Sequence, residues 1–253
     1  MMVAMTKAEG ERPFLHELKQ ISGLKVKVGE PLARYTSMKI GGPADYLIEV
    51  ERRDALSRLL QLLDFHRMPF WILGKGSNVL VSDLGVRGAV IRFGGEFNQV
   101  EWQEKEGEVL VTVGAAYSVA QLVRAAARRG YSGLEFAEGI PGSVGGALVM
   151  NAGAYGSEME RIVVRVEGVS EKGAPLTLER DAIRFTYRDS HLPAGTLVTR
   201  VCLGLVKGNV EQVGLKVSEL VARRKQSQPS GYPNSGSMFR NPPGDFAGRL
   251  IEA

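Results

Sequence analysis

Two stretches of this 253-residue chain put backbone where most sites put side chains. One is WILGKGSNVLVSD at 71–83, the other EGIPGSVGGALVMNAGAYG at 138–156. In the first, Gly74 and Gly76 flank Lys75 and are followed by Ser77 and Asn78. Successive N–H groups in such a turn form a concave nest for phosphate oxygens, and the glycines allow close approach. The Walker pattern fails, because Gly76 stands where Ser or Thr should follow the lysine. The dinucleotide fingerprint fails as well: its third glycine falls at Val79, and the residues beyond predict a strand rather than a helix. Alone, the loop reads equally well as a β-turn. The second stretch holds six glycines in nineteen residues and almost no charge. A linker would not interleave Ile140, Val144, Leu148, Val149 and Met150. Gly139, Gly142, Gly145 and Gly146 suit a backbone that lies along a large flat ligand, with Ile140, Pro141, Ser143 and Asn151 on the same path. An uncharged lining of that kind excludes water from a reactive ring. The two loops together point to a phosphorylated cofactor.

Other chemistries find little support. Cys202 is the only cysteine and lies in a strand-like run, VTRVCLGLV, so neither a disulfide nor a cysteine metal cluster is expected. His16, His66 and His191 have no metal-ligand spacing, and no metal is expected. The net charge of +4 is mild and its basic residues are scattered, which speaks against nucleic acid. No run reaches the ~18 apolar residues of a membrane span, and the N-terminus has no signal-like apolar core. A cytoplasmic protein is the default expectation; oligomeric state is not legible.

The elements that must position these loops are mixed. DALSRLLQLLDFHR (54–67) predicts a helix capped by Asp54, between strands DYLIEV (45–50) and FWIL (70–73), a β-α-β unit. NVLVS, GAVIRF, NQVEWQ and EVLVTV predict strands. A helix over 118–130 carries a capping box of Ser118 and Gln121, with Gly130 just past its end. IVVRVEGV, PLTL and LVTRVCLGLV predict more strand. A helix over 209–225 has Asn209 as cap and a basic, solvated end at Arg223, Arg224 and Lys225. DFAGRLIEA begins another, capped by Asp245, and reads as the start of a fold longer than this chain. The expected class is α+β, with lobes at 1–85 and 86–205 and a smaller, partial substrate-binding domain at 206–253.

TSMKIGGPADYLIEV, LGKGSNVLVSD, GLEFAEGIPGSVGGALVMNAGAYG, FTYRDS and NSGSMFRNP follow one another in this order. Together they resemble the signature segments of the bacterial UDP-N-acetylenolpyruvoylglucosamine reductases, over roughly residues 31–253. The resemblance implies non-covalent FAD in a vanillyl-alcohol-oxidase type of fold, NADPH as reductant and a UDP-sugar enolpyruvyl ether as substrate, in peptidoglycan precursor synthesis. It implies that the two glycine loops hold FAD. By the same resemblance Arg188 is the catalytic arginine and Ser237 the proton donor, with Tyr187, Arg240 and Asn241 near the substrate. Read from residues alone, Arg188 is as well explained by a surface pair with Asp189, and Ser235–Ser237 by a plain turn. The family's third catalytic group, a C-terminal glutamate, is matched by no residue here; Glu252 does not stand in its motif. Two rival readings are another FAD oxidoreductase of the same cofactor fold and a non-catalytic nucleotide-binding protein.

Overall fold

The computed structural model describes residues 7–227, 232–234, 236 and 239–252. Helix α1 (Lys7–Gln20) leads into strands β1 (Leu24–Pro31) and β2 (Pro43–Val50). Helix α2 (Arg53–Phe65) buries Ala55, Leu56, Leu59, Leu60 and Leu63, the i, i+3, i+4 stripe that its sequence predicts. Strands β3 (Phe70–Ile72) and β4 (Val86–Phe93) complete a four-stranded sheet of order β1-β2-β4-β3. β4 runs parallel to both of its neighbours. It therefore belongs to the first sheet. Residues 73–85 carry the chain from the end of β3 back to the start of the parallel β4, a crossing that parallel pairing requires. This is why NVLVS is not a strand: it spans the crossing, with Val79 and Leu80 exposed.

The second sheet is antiparallel throughout. It holds β5 (Val100–Lys105) and β6 (Glu108–Gly114) and, after helix α3 (Val119–Ala127), the short β7 (Tyr131–Ser132). Helix α4 (Val144–Val149) and a hairpin of β8 (Gly153–Ala154) and β9 (Ser157–Glu158) follow. Then come β10 (Val163–Val169), β11 (Pro175–Glu179) and β12 (Leu197–Lys207), in sheet order β11-β10-β12-β6-β5, with β7 on β12. Val111, Val113, Leu122, Leu148, Val166, Val201 and Leu203 form its core.

Helix starts differ from expectation in instructive ways. Asp54 sits in the first turn of α2 and pairs with Arg52, which holds the cap position without a side-chain bond. Ser118 holds the cap position of α3, but the first amide of that helix, Val119 N–H, is taken by the Gly142 carbonyl at 3.2 Å. Asn209 does cap helix α5 (Val210–Ser227), its Oδ1 accepting Gln212 N–H at 3.1 Å. Helix α6 (Ala247–Glu252) starts two residues after Asp245, whose Oδ1 accepts Phe246 N–H at 2.7 Å.

Helix α5, expected in a separate third domain, packs on the second lobe. Lys216 Nζ lies 3.4 Å from Glu135 Oε1, and Tyr155 Oη donates to the Leu220 carbonyl at 3.3 Å. Glu135 is buried, which alone would raise its pKa. The Ser132 hydroxyl, the Gly133 amide and Lys216 outweigh burial and hold the carboxyl below the usual carboxylate range.

Candidate active site

The loop Gly74–Asn78 leaves β3 where Leu73 N–H bonds the Ile91 carbonyl at 2.8 Å. Gly76 pins it. Its φ is +67°, its carbonyl accepts Ser37 N–H at 3.0 Å, and a Cβ there would stand 2.0 Å from the Tyr35 carbonyl oxygen. Only glycine fits. Among the described residues no acceptor takes the amides of Gly74, Lys75, Gly76, Ser77 or Asn78. Five consecutive amides without a protein partner can donate to an anionic ligand. Lys75 and Asn78 are exposed beside them.

The second glycine stretch meets this loop across sixty residues of sequence. Ser77 Oγ donates to the Pro141 carbonyl at 3.0 Å. A Cβ on Gly74 would lie 2.7 Å from Ser143 Oγ, and one on Gly142, at φ +141°, would lie 3.3 Å from Ser77 Oγ. Ser143 caps α4, accepting Gly146 N–H at 3.3 Å. The glycines divide by what faces them. Gly74, Gly142 and Gly146 face only serine hydroxyls and keep open backbone toward a ligand. Gly145 instead lets α4 close on Ala115, where a Cβ would meet the alanine methyl at 2.8 Å. Gly139, at φ +76°, gives way to Arg224 of α5, and Ile140 packs against the core. Gly139, Ile140 and Gly145 thus each carry a packing contact within the protein, on Arg224, the core and Ala115 in turn.

Asn151 departs furthest from expectation. It is fully buried at φ +38°. Its Nδ2 donates to the Thr186 carbonyl at 3.1 Å, and its Oδ1 accepts Glu160 N–H at 3.0 Å. Both ends of the amide are bonded inside the protein, which makes the side chain a strut between two turns. Its partners, at 160 and 186, left no trace in the local sequence.

The turn at 186–189 is closed by reciprocal Thr186 and Asp189 backbone bonds of 2.8 and 3.1 Å. Arg188 occupies it at φ +62°, a left-handed conformation that costs a non-glycine residue on the order of 1 kcal/mol or more. Ser190, tied twice to the Val149 carbonyl, fixes the turn to the end of α4. The Arg188 guanidinium donates to the Gly153 carbonyl at 3.0 Å and lies 5.3 Å from the Tyr187 ring centre. Asp189 bonds the His191 amide instead, at 2.8 Å, so the surface pair with Arg188 does not form. A cavity of about 340 Å³ opens here, lined by the β8–β9 hairpin with Arg161, Tyr187, Arg188 and Asn241. Asn241 also accepts Ala247 N–H at 3.0 Å. Arg240 is exposed next to it, and Ser237 lies outside the described residues.

Residues 141–153 therefore run from the Gly74–Asn78 loop to the Arg188 turn. At one end they meet the unpaired amides of Gly74–Asn78; at the other they carry the carbonyl that holds Arg188. The open glycine backbone, neutral hydroxyls and free amides fit a phosphorylated, flat cofactor. No helix among the described residues is long and apolar enough to cross a membrane, and no group of His, Cys, Asp and Glu among them could hold a metal ion.

Comparison with known proteins bears on the same segments. Residues 44–179 match the family described as FAD binding domain. UDP-N-acetylenolpyruvoylglucosamine reductase 2 of Symbiobacterium thermophilum is 45% identical over 229 residues, 90% of this chain and 73% of that protein. The Bacillus subtilis reductase is 42% identical over 241 residues, 94% of this chain and 78% of that protein. The crystal structure of the Thermus caldophilus reductase (MurB) superposes with a TM-score of 0.77 at 40% identity, covering 90% of this chain and 79% of that one. Cholesterol oxidase from Brevibacterium sterolicum superposes with a TM-score of 0.55 at 16% identity, over 73% of this chain and 38% of that one, a likeness of fold alone.

Proposed function

We infer that this chain, which belongs to the UDP-N-acetylenolpyruvoylglucosamine reductase family, binds FAD non-covalently and uses NADPH to reduce UDP-N-acetylglucosamine enolpyruvate to UDP-N-acetylmuramate. That reaction serves peptidoglycan precursor synthesis, and we place it in the cytoplasm. The observation that supports the reading is the segment 141–153, whose first carbonyl bonds the Gly74–Asn78 loop and whose last bonds Arg188 at the cavity. The rival readings are not favoured: the likeness to cholesterol oxidase is one of fold, and the relatives at 42–45% identity over 90–94% of this chain are reductases of this one substrate class.

FAD, when bound, supplies the hydride that NADPH donates and the enolpyruvyl group receives. The amides of Gly74–Asn78 would hold its diphosphate; Gly74, Gly142 and Gly146 would admit it against bare backbone, and Ser77 and Ser143 would add neutral hydroxyls. Arg188 acts on the substrate. Hydride addition at C3 places negative charge on C2 and its carboxylate, and the planar guanidinium stabilises that charge. Its bond to the Gly153 carbonyl aims the fork, leaving the other N–H groups for the carboxylate. Tyr187 stacks beside it, and Asn241 and Arg240 border the substrate. Ser237, on the strength of the resemblance, delivers the proton to C2. The balance is one hydride from NADPH and one proton to the double bond.

Arg188→Lys tests this assignment. Both residues suffer the same strain at φ +62°, so the fold cost nearly cancels. Flavin reduction by NADPH should proceed at the wild-type rate. Reoxidation by substrate should slow roughly 30- to 1,000-fold, the equivalent of ~2–4 kcal/mol of lost charge stabilisation. Equal slowing of both half-reactions would make Arg188 a structural residue.

A further inference from the structure

We propose that Arg161 is a second anion-binding residue of the substrate cavity, holding the diphosphate of the nucleotide sugar while Arg188 holds its carboxylate. The proposal rests on the substrate class inferred above.

Four observations carry it. Arg161 and Arg188 line the same cavity, Arg161 exposed and Arg188 half-buried, so one stands nearer solvent than the other. Their spacing is built in. Asn151 bonds Glu160 N–H on one side and the Thr186 carbonyl on the other, tying the turn that ends in Arg161 to the turn that carries Arg188. The carboxylate next to Arg161 in sequence is diverted: Glu160 Oε1 lies 2.5 Å from Arg180 Nη2. Among the described residues Arg161 itself makes no ion pair, whereas Arg180 is consumed by Glu160. Finally, Arg188 spends one donor on Gly153 and cannot serve two separated anions.

The ligand chemistry matches. A nucleotide sugar with an enolpyruvyl ether carries two anionic groups, a carboxylate and a diphosphate, separated by the sugar. A guanidinium presents paired N–H donors that suit phosphate oxygens. Glu158, on the same cavity, keeps it from being uniformly cationic and offers an acceptor to sugar hydroxyls or an amide N–H. NADPH also carries phosphates, so the experiment must separate the two sources.

The FAD-loaded chain and its Arg161→Gln and Arg161→Lys variants are titrated with UDP and, separately, with NADP⁺. Arg161→Gln should weaken UDP binding roughly 10-fold, with Arg161→Lys in between. NADP⁺ binding and FAD content should match wild type. KM for the UDP-sugar should rise while kcat at saturation stays within a few-fold. Unchanged UDP affinity in Arg161→Gln would overturn the proposal, as would a loss confined to NADP⁺. Wild-type protein that holds FAD but binds no UDP would instead overturn the underlying substrate reading.

Discussion

Asn151→Asp changes one atom in the strut and isolates its polar work. Asn and Asp tolerate a left-handed backbone about equally, so φ +38° does not distinguish them. Oδ1 can still accept Glu160 N–H. The other oxygen now faces the Thr186 carbonyl, at a position where the amide donated at 3.1 Å. With the residue fully buried, an ionised carboxylate there is unpaired and costs ~3 kcal/mol. A protonated one can donate to Thr186 and restore the bond. The folded pKa is therefore raised, by ~2 units for ~3 kcal/mol, to about 6 against about 3.9 unfolded. The folded state then binds more protons than the unfolded between those values, so stability falls as pH rises through them and levels off above. Relative to wild type at each pH, the variant should melt at nearly the same temperature near pH 4 and roughly 6–12 °C lower at pH 8. Thermal unfolding followed by circular dichroism across pH 4–8 measures it. A pH-independent difference, or none, would refute the strut.

Two further perturbations probe neighbouring parts. Gly142→Val forces a side chain into φ +141° but meets only Ser77 Oγ, so the variant should fold with a loss of about 1–3 kcal/mol and purify with much less FAD; full flavin occupancy would remove Gly142 from the cofactor site. Glu135→Gln should lower stability at pH 7 by about 1.5–3 kcal/mol through its lost charge-assisted bonds. Because Glu135 is held below its unfolded value, that stabilisation is full above about pH 4 and disappears as pH falls through the folded pKa. Hydrogen exchange in α5 should accordingly match between variant and wild type only in acid; a constant gap down to pH 2 would contradict the docking role.

Periodic apolar spacing made α2 and α5 legible; α2 buries its whole stripe, whereas α5 buries only Val213 of its own. Glycine density singled out residues 138–156, but not which of its glycines meet protein. Whether Gly145 faces a ligand or Ala115 depends on a contact thirty residues away. The same density hid α4, whose glycines oppose helix formation until Ser143 and the Ala115 carbonyl, which accepts Gly145 N–H at 2.9 Å, supply its first bonds. NVLVS misled because β-branched residues report a preference for extended backbone, whereas in the crossing from β3 to β4 they join no sheet. At the cavity, Arg188 was identifiable only through its motif, since its guanidinium is aimed by the Gly153 carbonyl 35 positions away.

The central claim is most directly tested by the visible spectrum of the purified chain under anaerobic titration. The account predicts a flavin band that NADPH bleaches and that UDP-N-acetylglucosamine enolpyruvate then restores, with one UDP-N-acetylmuramate formed per FAD. A chain that takes up no FAD, or a bleached band that this substrate leaves bleached, would contradict it.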